Sequence, residues 1–407
     1  MSDKALTGLK VVELAEFIAG PYCGKLLADF GAEVLKVERP GTGDEARERG
    51  PFPGHVPDPE KSGLFLYLNA NKLGITLNIE TATGRDILKK ILKTADVLVE
   101  DQPPARMKAL GLDFESLRQV NPRLIVVSIT AFGQSGPYKD YKGYAINASA
   151  LGGQSVCAGE MGREPLTPPL CLGHYQSATA GATAAMGAIF AREQSGRGQH
   201  VDISEAQVWA TLHTGNQETS FILHGMKRIR WGHRTPGIYP YTILPCQDGF
   251  MSMIAIQGYQ WKRFLELMGN GQVPEWYSTE PRYQDRREIS LKYADEMDGR
   301  LAPWLTSHSK AEIYKMCLEK KVPFAPVRNM EEVVNDAHLA FRDYFVEVDH
   351  PAAGKLKYPG APGRLSETPW AMDRPAPLLG QHNEEIYCRR LGYSSEELEA
   401  LRNGGII

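Results

Sequence analysis

Short β-branched apolar runs alternate with amphipathic segments through the first 130 residues of the chain. The apolar runs predict strands over 9–14, 32–39, 96–101 and 123–130, and the segments between them predict helices over 20–31 and 83–95. Parallel sheets need helical crossovers between their strands, so this alternation predicts an α/β fold with helices on both faces of the sheet.

A segment of very small side chains follows, and its pattern predicts a helix over 175–193, "YQSATAGATAAMGAIFARE". Alanine, glycine, serine and threonine allow another backbone to approach closely. The pattern therefore favours tight packing or an intimate oligomer. An ordinary buried helix explains the same composition equally well.

The pattern changes after residue 224. A basic link rich in proline and glycine covers 227–241, and the apolar alternation over 242–256 predicts a hairpin. Helices are expected at 260–268 and 295–321, and a Pro/Gly-rich region (351–377) precedes a closing helix that Ser394 caps. These segments predict a Rossmann-like large α/β domain with a parallel sheet (1–224), a smaller α+β domain (225–330) and a C-terminal segment (331–407) that rejoins the large domain.

Composition agrees with a soluble protein of two or three domains. The 407 residues carry a net charge of −3, which gives no reason to expect nucleic acid or an anionic membrane as a partner. The start of the chain lacks the pattern of a secretory signal, no apolar run reaches the length of a membrane span, and the six cysteines form no C-x-x-C pair. A cytoplasmic location is therefore expected.

Common cofactor and catalytic motifs are missing from the sequence. The first predicted strand is followed by "AEFIAGPYCG" rather than G-x-G-x-x-G, and no Walker A pattern occurs. Neither H-E-x-x-H nor another clustered histidine and carboxylate set occurs, so no metal site is expected. The G-x-S-x-G elbow of α/β-hydrolases is also missing.

Cations follow several of the predicted strands. Arg39 and Arg47 come after the second strand, Lys72 lies in "LNANKLG", and Lys142 precedes Tyr144. Ligands of open α/β sheets bind at the carboxyl ends of strands, so these side chains are candidates for phosphate contacts. Solvated surface charge is the simpler explanation for any one of them.

The chain resembles the class III CoA-transferases, the family of formyl-CoA transferase and carnitine CoA-transferase. The matching segments run in order from "LKVVELAEFIAGPYCGKLLADFGAEVLKVERPGTGDEAR" through "LFLYLNANKLGITLNI", "TADVLVEDQPPARMKALGLDFESLRQVNPRLIVVSITAFGQSGPY", "SGRGQHVDISEAQ" and "YTILPCQDGFMSM" to "PLLGQHNEEIYCRRLGYSSEELEAL". The α-methylacyl-CoA racemases share this fold. The resemblance implies a ring-shaped subunit that interlocks with a second subunit in a dimer.

The resemblance also implies that CoA lies at the strand ends of the large domain. Arg39 and Lys72 match family positions associated with CoA. Asp101, Lys142 and Tyr144 complete the set that we assign to CoA binding. CoA and acyl-CoA are then substrates, and no permanently bound cofactor is expected.

His174 occupies the position at which the family carries its catalytic aspartate. In the family mechanism that aspartate attacks the donor thioester, and the enzyme then holds CoA as an aspartyl thioester. Holding CoA this way requires a carbonyl carbon on the protein, which an imidazole does not have. We therefore assign no catalytic residue, and the two bases of the racemase branch are missing as well.

Other departures surround the same ligand. The family's "VENFRPG" is "VEDQPPA" here, which puts the acidic Asp101 near the expected position of the CoA pyrophosphate and Gln102 where the family has an aromatic residue. Ala109 stands where an arginine is common. These changes predict a degenerate CoA site.

Three hypotheses follow for the function. In the first, the chain is the non-catalytic subunit of a heteromeric CoA-transferase, like the aspartate-lacking subunit of benzylsuccinate CoA-transferase, and a paralogue supplies the aspartate. The donor would be an acyl-CoA such as succinyl-CoA, and the acceptor a carboxylic acid such as benzylsuccinate. In the second, the chain is self-sufficient and uses another carboxylate, Glu160 or Glu164. In the third, it binds CoA esters without transferring CoA.

Overall fold

The computed structural model of the chain describes residues 4–211, 215–227 and 229–407. These residues form two compact units. The first takes in the chain up to Ser155, Thr167–Lys227 and His338–Ile407, and the second takes in Val156–Leu166 and Arg228–Ala337. The second unit thus includes 156–166, which our division of the sequence placed within 1–224.

A six-stranded parallel sheet forms the centre of the first unit. Its strands are β1 (Lys10–Leu14), β2 (Glu33–Glu38), β3 (Lys72–Thr76), β4 (Val97–Glu100), β5 (Ile125–Thr130) and β6 (His200–Ser204). Their order across the sheet is β3-β2-β1-β4-β5-β6, and every neighbouring pair is parallel. From β1 the chain adds β2 and β3 on one side of the sheet, and it then adds β4, β5 and β6 on the other side. The direction in which strands are added therefore reverses between β1 and β4.

Helices of the first unit accompany this sheet, and those that pack against it cover both of its faces. They are α1 (Ala19–Asp29), α2 (Gly63–Asn69), α3 (Ala82–Leu92), α4 (Pro104–Leu110), α5 (Phe114–Val120), α6 (Ala145–Leu151), α7 (Leu172–Ser195), α8 (Glu205–Trp209) and α9 (Gly215–His224). The alternation of strands and helices confirms the predicted α/β fold. It arises because most strands direct apolar side chains to both faces of the sheet, where crossover helices cover them.

Two apolar cores lie on opposite sides of the sheet. One contains Val12 and Leu98 with the inner face of α3 and the C-terminal residue Ile407. The other contains Val11 and Val97 together with α1 and the alanine face of α7. The alanine face of α7 is therefore buried inside the first unit, as in an ordinary core helix.

The second unit is built around a small antiparallel sheet. Its strands are β7 (Tyr241–Cys246), β8 (Gly249–Ile254) and β9 (Ala325–Val327). Its helices are α10 (Gly258–Met268), α11 (Glu275–Ser278), α12 (Arg286–Glu288), α13 (Ala294–Thr306), α14 (Lys310–Glu319) and α15 (Met330–Val334). The predicted hairpin is confirmed, whereas the helix expected over 295–321 is two helices, because Ser309 caps α14 and starts a new one.

The remainder of the chain contains α16 (Ala337–Phe341), the antiparallel strands β10 (Phe345–His350) and β11 (Gly354–Pro359), and α17 (Ser395–Asn403). Ser394 accepts a hydrogen bond from the backbone N–H of Glu397, which confirms the predicted cap. The strands β10 and β11 were not predicted, since β11 falls in the region rich in proline and glycine.

Candidate active site

A cavity of about 460 Å³ opens at the carboxyl ends of β1, β4 and β5. It is lined by residues 16–19, 101, 103, 104, 129–132, 139–144, 174 and 205, all of the first unit. The strand order reverses between β1 and β4, and such a switch point leaves a crevice in which ligands of open α/β sheets bind. The cavity is therefore the candidate active site.

Aromatic rings and cations share the cavity wall. Phe17 and Phe132 line it together with Tyr141, and Lys139 and Lys142 lie on the same loop as that tyrosine. The loop side chains are exposed. A wall of this kind suits a ligand that has an apolar part and carboxylate or phosphate groups.

His174 lies in the first turn of α7, and Glu205 is the first residue of α8, directly after β6. The two side chains meet, with His174 Nδ1 2.6 Å from Glu205 Oε2. A carboxylate can only accept, so Nδ1 carries the shared hydrogen and Nε2 remains as the second ring nitrogen. Among the described residues Nε2 has no hydrogen-bond partner. The Glu205 side chain is only 4% exposed and that of His174 is 17% exposed.

Sequence reasoning identified His174 and missed Glu205. An acidic residue in the first turn of a helix, just after a capping serine such as Ser204, is explained by helix stability alone. Glu205 meets His174 only because the fold places the end of β6 beside the start of α7, and the linear sequence does not show this contact.

A strained turn forms the wall of the cavity opposite His174. Phe17 has a φ of 65°, which is unusual for a residue other than glycine. Its backbone N–H donates to Asp44 Oδ1 at 2.8 Å, and the N–H of Glu16 donates to Asp101 Oδ2 at 2.9 Å. The turn presents the Phe17 ring edge-on to the His174 ring, with 5.7 Å between ring centroids. Two carboxyl groups thus fix the turn that contacts His174.

Asp101 lines the cavity, and both of its oxygens already accept hydrogen bonds from the protein. Oδ2 accepts from Glu16, and Oδ1 accepts from Gln102 Nε2 at 3.0 Å. Burial raises the pKa of Asp101 well above its ordinary value, which weakens the negative charge it presents. In this structure Asp101 fixes the turn that follows β1 by accepting a hydrogen bond from Glu16. The sequence did not suggest this structural role.

The other residues assigned to CoA binding differ in their surroundings. Lys142 and Tyr144 line the cavity. The side chain of Arg39 is 57% exposed and pairs with Glu16, whose Oε2 lies 2.7 Å from Arg39 Nη2. Because Glu16 is itself part of the cavity wall, Arg39 lies at the edge of the site.

Lys72 does not line the cavity. Its ammonium is fully buried, 2.7 Å from Glu13 Oε2, and donates to the carbonyl oxygen of Pro21 and to Asn69 Oδ1, each at 2.8 Å. Burial lowers the pKa of Lys72 to about 8. Its hydrogens are directed at groups of the protein itself, so Lys72 is a structural lysine here and is not exposed to a ligand.

Glu160 and Glu164 belong to the second unit, whereas the described lining of the cavity belongs to the first. Within the described residues, no group of three or more histidine, cysteine, aspartate or glutamate side chains could hold a metal ion. Nor does the described part of the chain include a helix that is long and apolar enough to cross a membrane.

Residues 6–383 match the model of CoA-transferase family III. The chain belongs to this family. The succinyl-CoA–D-citramalate CoA-transferase of Chloroflexus aurantiacus is 33% identical over 99% of the chain and 98% of that enzyme. The succinyl-CoA–L-malate CoA-transferase beta subunit of the same organism is 32% identical over 99% of the chain and 98% of its own length.

A crystal structure of a CAIB/BAIF family protein from Brucella suis has the same fold. Its TM-score is 0.85 at 28% sequence identity, and the match covers 95% of the chain and 99% of that protein. The α/β fold with its six-stranded parallel sheet, predicted from the sequence pattern, therefore matches a solved structure of the family.

Proposed function

We propose that this chain is the nucleophile-lacking subunit of a heteromeric CoA-transferase, and that a family III partner subunit supplies the aspartate. One observation carries the proposal: the side chain at the start of α7 that faces the cavity is His174, an imidazole held by Glu205. The enzyme must accept CoA on a carbonyl carbon, and an imidazole offers only nitrogen. The chain alone therefore lacks the group that carries CoA.

An acyl-CoA such as succinyl-CoA is the proposed donor, and a carboxylic acid such as benzylsuccinate is the proposed acceptor. Two relatives bear names of succinyl-CoA-dependent transferases, and one of these names refers to a beta subunit. The cavity wall supports an acceptor with a ring and a carboxylate, because Phe17 and Phe132 lie near Lys139 and Lys142. We further propose the interlocked assembly typical of the family for the two subunits, in the cytoplasm.

A self-sufficient transferase is the second candidate. Among the carboxylates that line the cavity, Glu205 lies beside His174, the position at which the family carries its aspartate. Burial of the Glu205 side chain and its hydrogen bond to His174 argue against it as a nucleophile, because attack on a thioester would require it to give up both. In a third candidate function, the chain binds CoA esters in the same cavity but transfers no CoA.

Co-expression of the chain with a family III protein that carries the catalytic aspartate, sought among the neighbouring genes, tests the proposal. We expect the purified pair to transfer CoA from succinyl-CoA to benzylsuccinate, and each chain alone to transfer none. Loss of transfer when the partner's aspartate is changed to alanine would place the nucleophile on the partner. Transfer by the single chain, with a hydroxylamine-sensitive CoA adduct on Glu205 found by mass spectrometry, would support the second candidate instead.

A further inference from the structure

The pairing of His174 with Glu205 has a chemical consequence apart from the loss of the nucleophile. Glu205 holds Nδ1 through a 2.6 Å hydrogen bond and so fixes the tautomer of the ring. The lone pair of the neutral imidazole then lies on Nε2, which has no partner among the described residues. A carboxylate that orients an imidazole in this way is the arrangement that makes histidine an effective general base.

We propose that His174, oriented by Glu205, activates water and hydrolyses the thioester of an acyl-CoA bound in this cavity. This inference rests on the proposed function in one respect, namely that an acyl-CoA occupies the cavity. It needs no nucleophile from the partner, so it assigns to this chain a reaction of its own.

The step balances without any further reagent. Nε2 takes a proton from water while the water oxygen bonds to the acyl carbonyl carbon and the carbonyl electron pair moves onto its oxygen. That pair returns as the carbon–sulfur bond breaks, and the proton on Nε2 passes to the departing sulfur. One acyl-CoA and one water give one carboxylic acid and one CoA thiol, and His174 returns to its starting state.

The surroundings of His174 favour the charge that develops in this step. His174 lies in the first turn of the 24-residue helix α7, whose N-terminal end carries a partial positive charge. A tetrahedral oxyanion beside Nε2 would be stabilised there. The cavity admits water, because its loop residues Lys139, Tyr141 and Lys142 are exposed.

Release of free CoA thiol from an acyl-CoA, measured without any acceptor acid, tests the inference. The substrates are succinyl-CoA and phenylacetyl-CoA, the second because it has no neighbouring carboxylate that cleaves its own thioester. The protein is the single chain and also the co-expressed pair whose partner aspartate is changed to asparagine. We expect thiol release above the rate without protein, lowered about 100-fold in H174Q. The exposed His338 provides the control H338Q, which should keep the full rate.

Glu205 is a positioning residue, so E205Q needs a readout that a general loss of structure would not change. We expect E205Q to bind CoA with unchanged affinity by calorimetry and to lower the kcat of hydrolysis while its KM stays the same, because an amide at residue 205 no longer fixes the tautomer of the ring. No thiol release above background, or equal release by H174Q, would overturn the inference while leaving the transferase proposal intact. Hydrolysis by the chain with no transfer by the intact pair would instead overturn the transferase proposal.

Discussion

At the scale of single residues, Glu205 decides what residue 174 can be. Its carboxylate is buried and lies 2.6 Å from the imidazole of His174, so an aspartate restored at position 174 would place two carboxylates in contact. Two such groups in a poorly solvated site cannot both ionise without a large cost in free energy. Changing His174 to the family's aspartate therefore does not recreate the family's site.

We predict that H174D lowers the free energy of unfolding by about 2–4 kcal/mol at pH 8, because it leaves the buried Glu205 without its partner. The double variant H174D/E205Q should recover most of this loss, since a neutral amide removes the repulsion between carboxylates. Urea unfolding of the wild type, both single variants and the double variant gives the coupling free energy. A coupling near zero, or a stable H174D with transferase activity in the single chain, would contradict the prediction.

Glu100, at the end of β4, should make stability depend on pH. Burial raises its pKa to about 7, although the backbone N–H of Gln102 donates to Oε2 at 2.7 Å. The folded chain then holds a proton that the unfolded chain has lost between about pH 4.5 and 7, so this contribution to stability is present below pH 4.5 and is lost as the pH rises through 7.

We expect the free energy of unfolding of the wild type, measured relative to E100Q, to fall by about 2 kcal/mol between pH 5 and pH 8. The comparison with E100Q removes the contribution of every other titrating group that the two proteins share. Urea titrations at the two pH values provide the measurement. A difference between the two proteins that stays constant with pH would mean that Glu100 ionises normally in the folded state.

The sequence could identify one half of the site. His174 was identified because it replaces a single expected aspartate, and Lys142 because it is a cation after a predicted strand; both line the cavity. Glu205 and the strained Phe17 carry no such signal, because an acidic residue at a helix start and an apolar residue after a strand both have simpler explanations. The buried surroundings of Lys72 could not be foreseen, because its ion pair with Glu13 joins residues of two different strands.

At the scale of secondary-structure elements, two glycines of α7 have opposite surroundings. A Cβ added at Gly173 would lie 2.1 Å from Glu205 Oε1, whereas a Cβ at Gly187 would meet nothing within 4 Å. Gly173 therefore makes room for the carboxylate that orients His174, and Gly187 is an exposed helical glycine. Glycine in such a position costs stability because the unfolded chain has more conformations to lose.

We predict opposite effects for the same substitution at these two positions of one helix. G187A should raise the free energy of unfolding by about 0.5–1 kcal/mol, as alanine does at exposed helix positions. G173A should lower it by about 1–3 kcal/mol, because Glu205 has to move. Thermal or urea unfolding measures both. Equal effects of the two changes would show that Gly173 leaves free space beside Glu205.

The strands that were predicted and those that were missed differ in a physical way. β1, β2, β4 and β5 are rich in valine, leucine and isoleucine, so their burial is visible in the sequence. β3 begins with Lys72 and contains Gly74, and β6 begins with His200, so neither has the composition of a buried strand. Their polar side chains are accommodated by partners from other strands, such as Ser128, whose Oγ lies 2.9 Å from His200 Nε2.

At the scale of the whole molecule, the end of α9 exposes a run of large apolar side chains. Phe221, Ile222 and Leu223 are consecutive, and their side chains are 53%, 78% and 67% exposed. Successive residues of a helix point about 100° apart, so the exposed apolar surface covers most of its circumference. A run of apolar side chains that covers most of a helical turn is normally buried, and none of the described residues buries these three. We infer that a second chain covers α9.

We therefore predict that the double variant I222E/L223E weakens association with the partner subunit about 100-fold or more, because two apolar contacts at the centre of an interface each contribute about 2 kcal/mol. The first unit should keep its fold in this variant, since neither side chain belongs to a core of the single chain.

The exposed Gln119 on α5 offers a matched control, Q119E, which adds a charge away from α9. Mass photometry of the co-expressed pair over a dilution series gives the dissociation constants, and CoA transfer assayed in the same samples should decline with the fraction of assembled complex. An assembly that survives I222E/L223E with unchanged affinity would exclude α9 from the interface and leave its exposed apolar side chains without an explanation in the proposed heteromer.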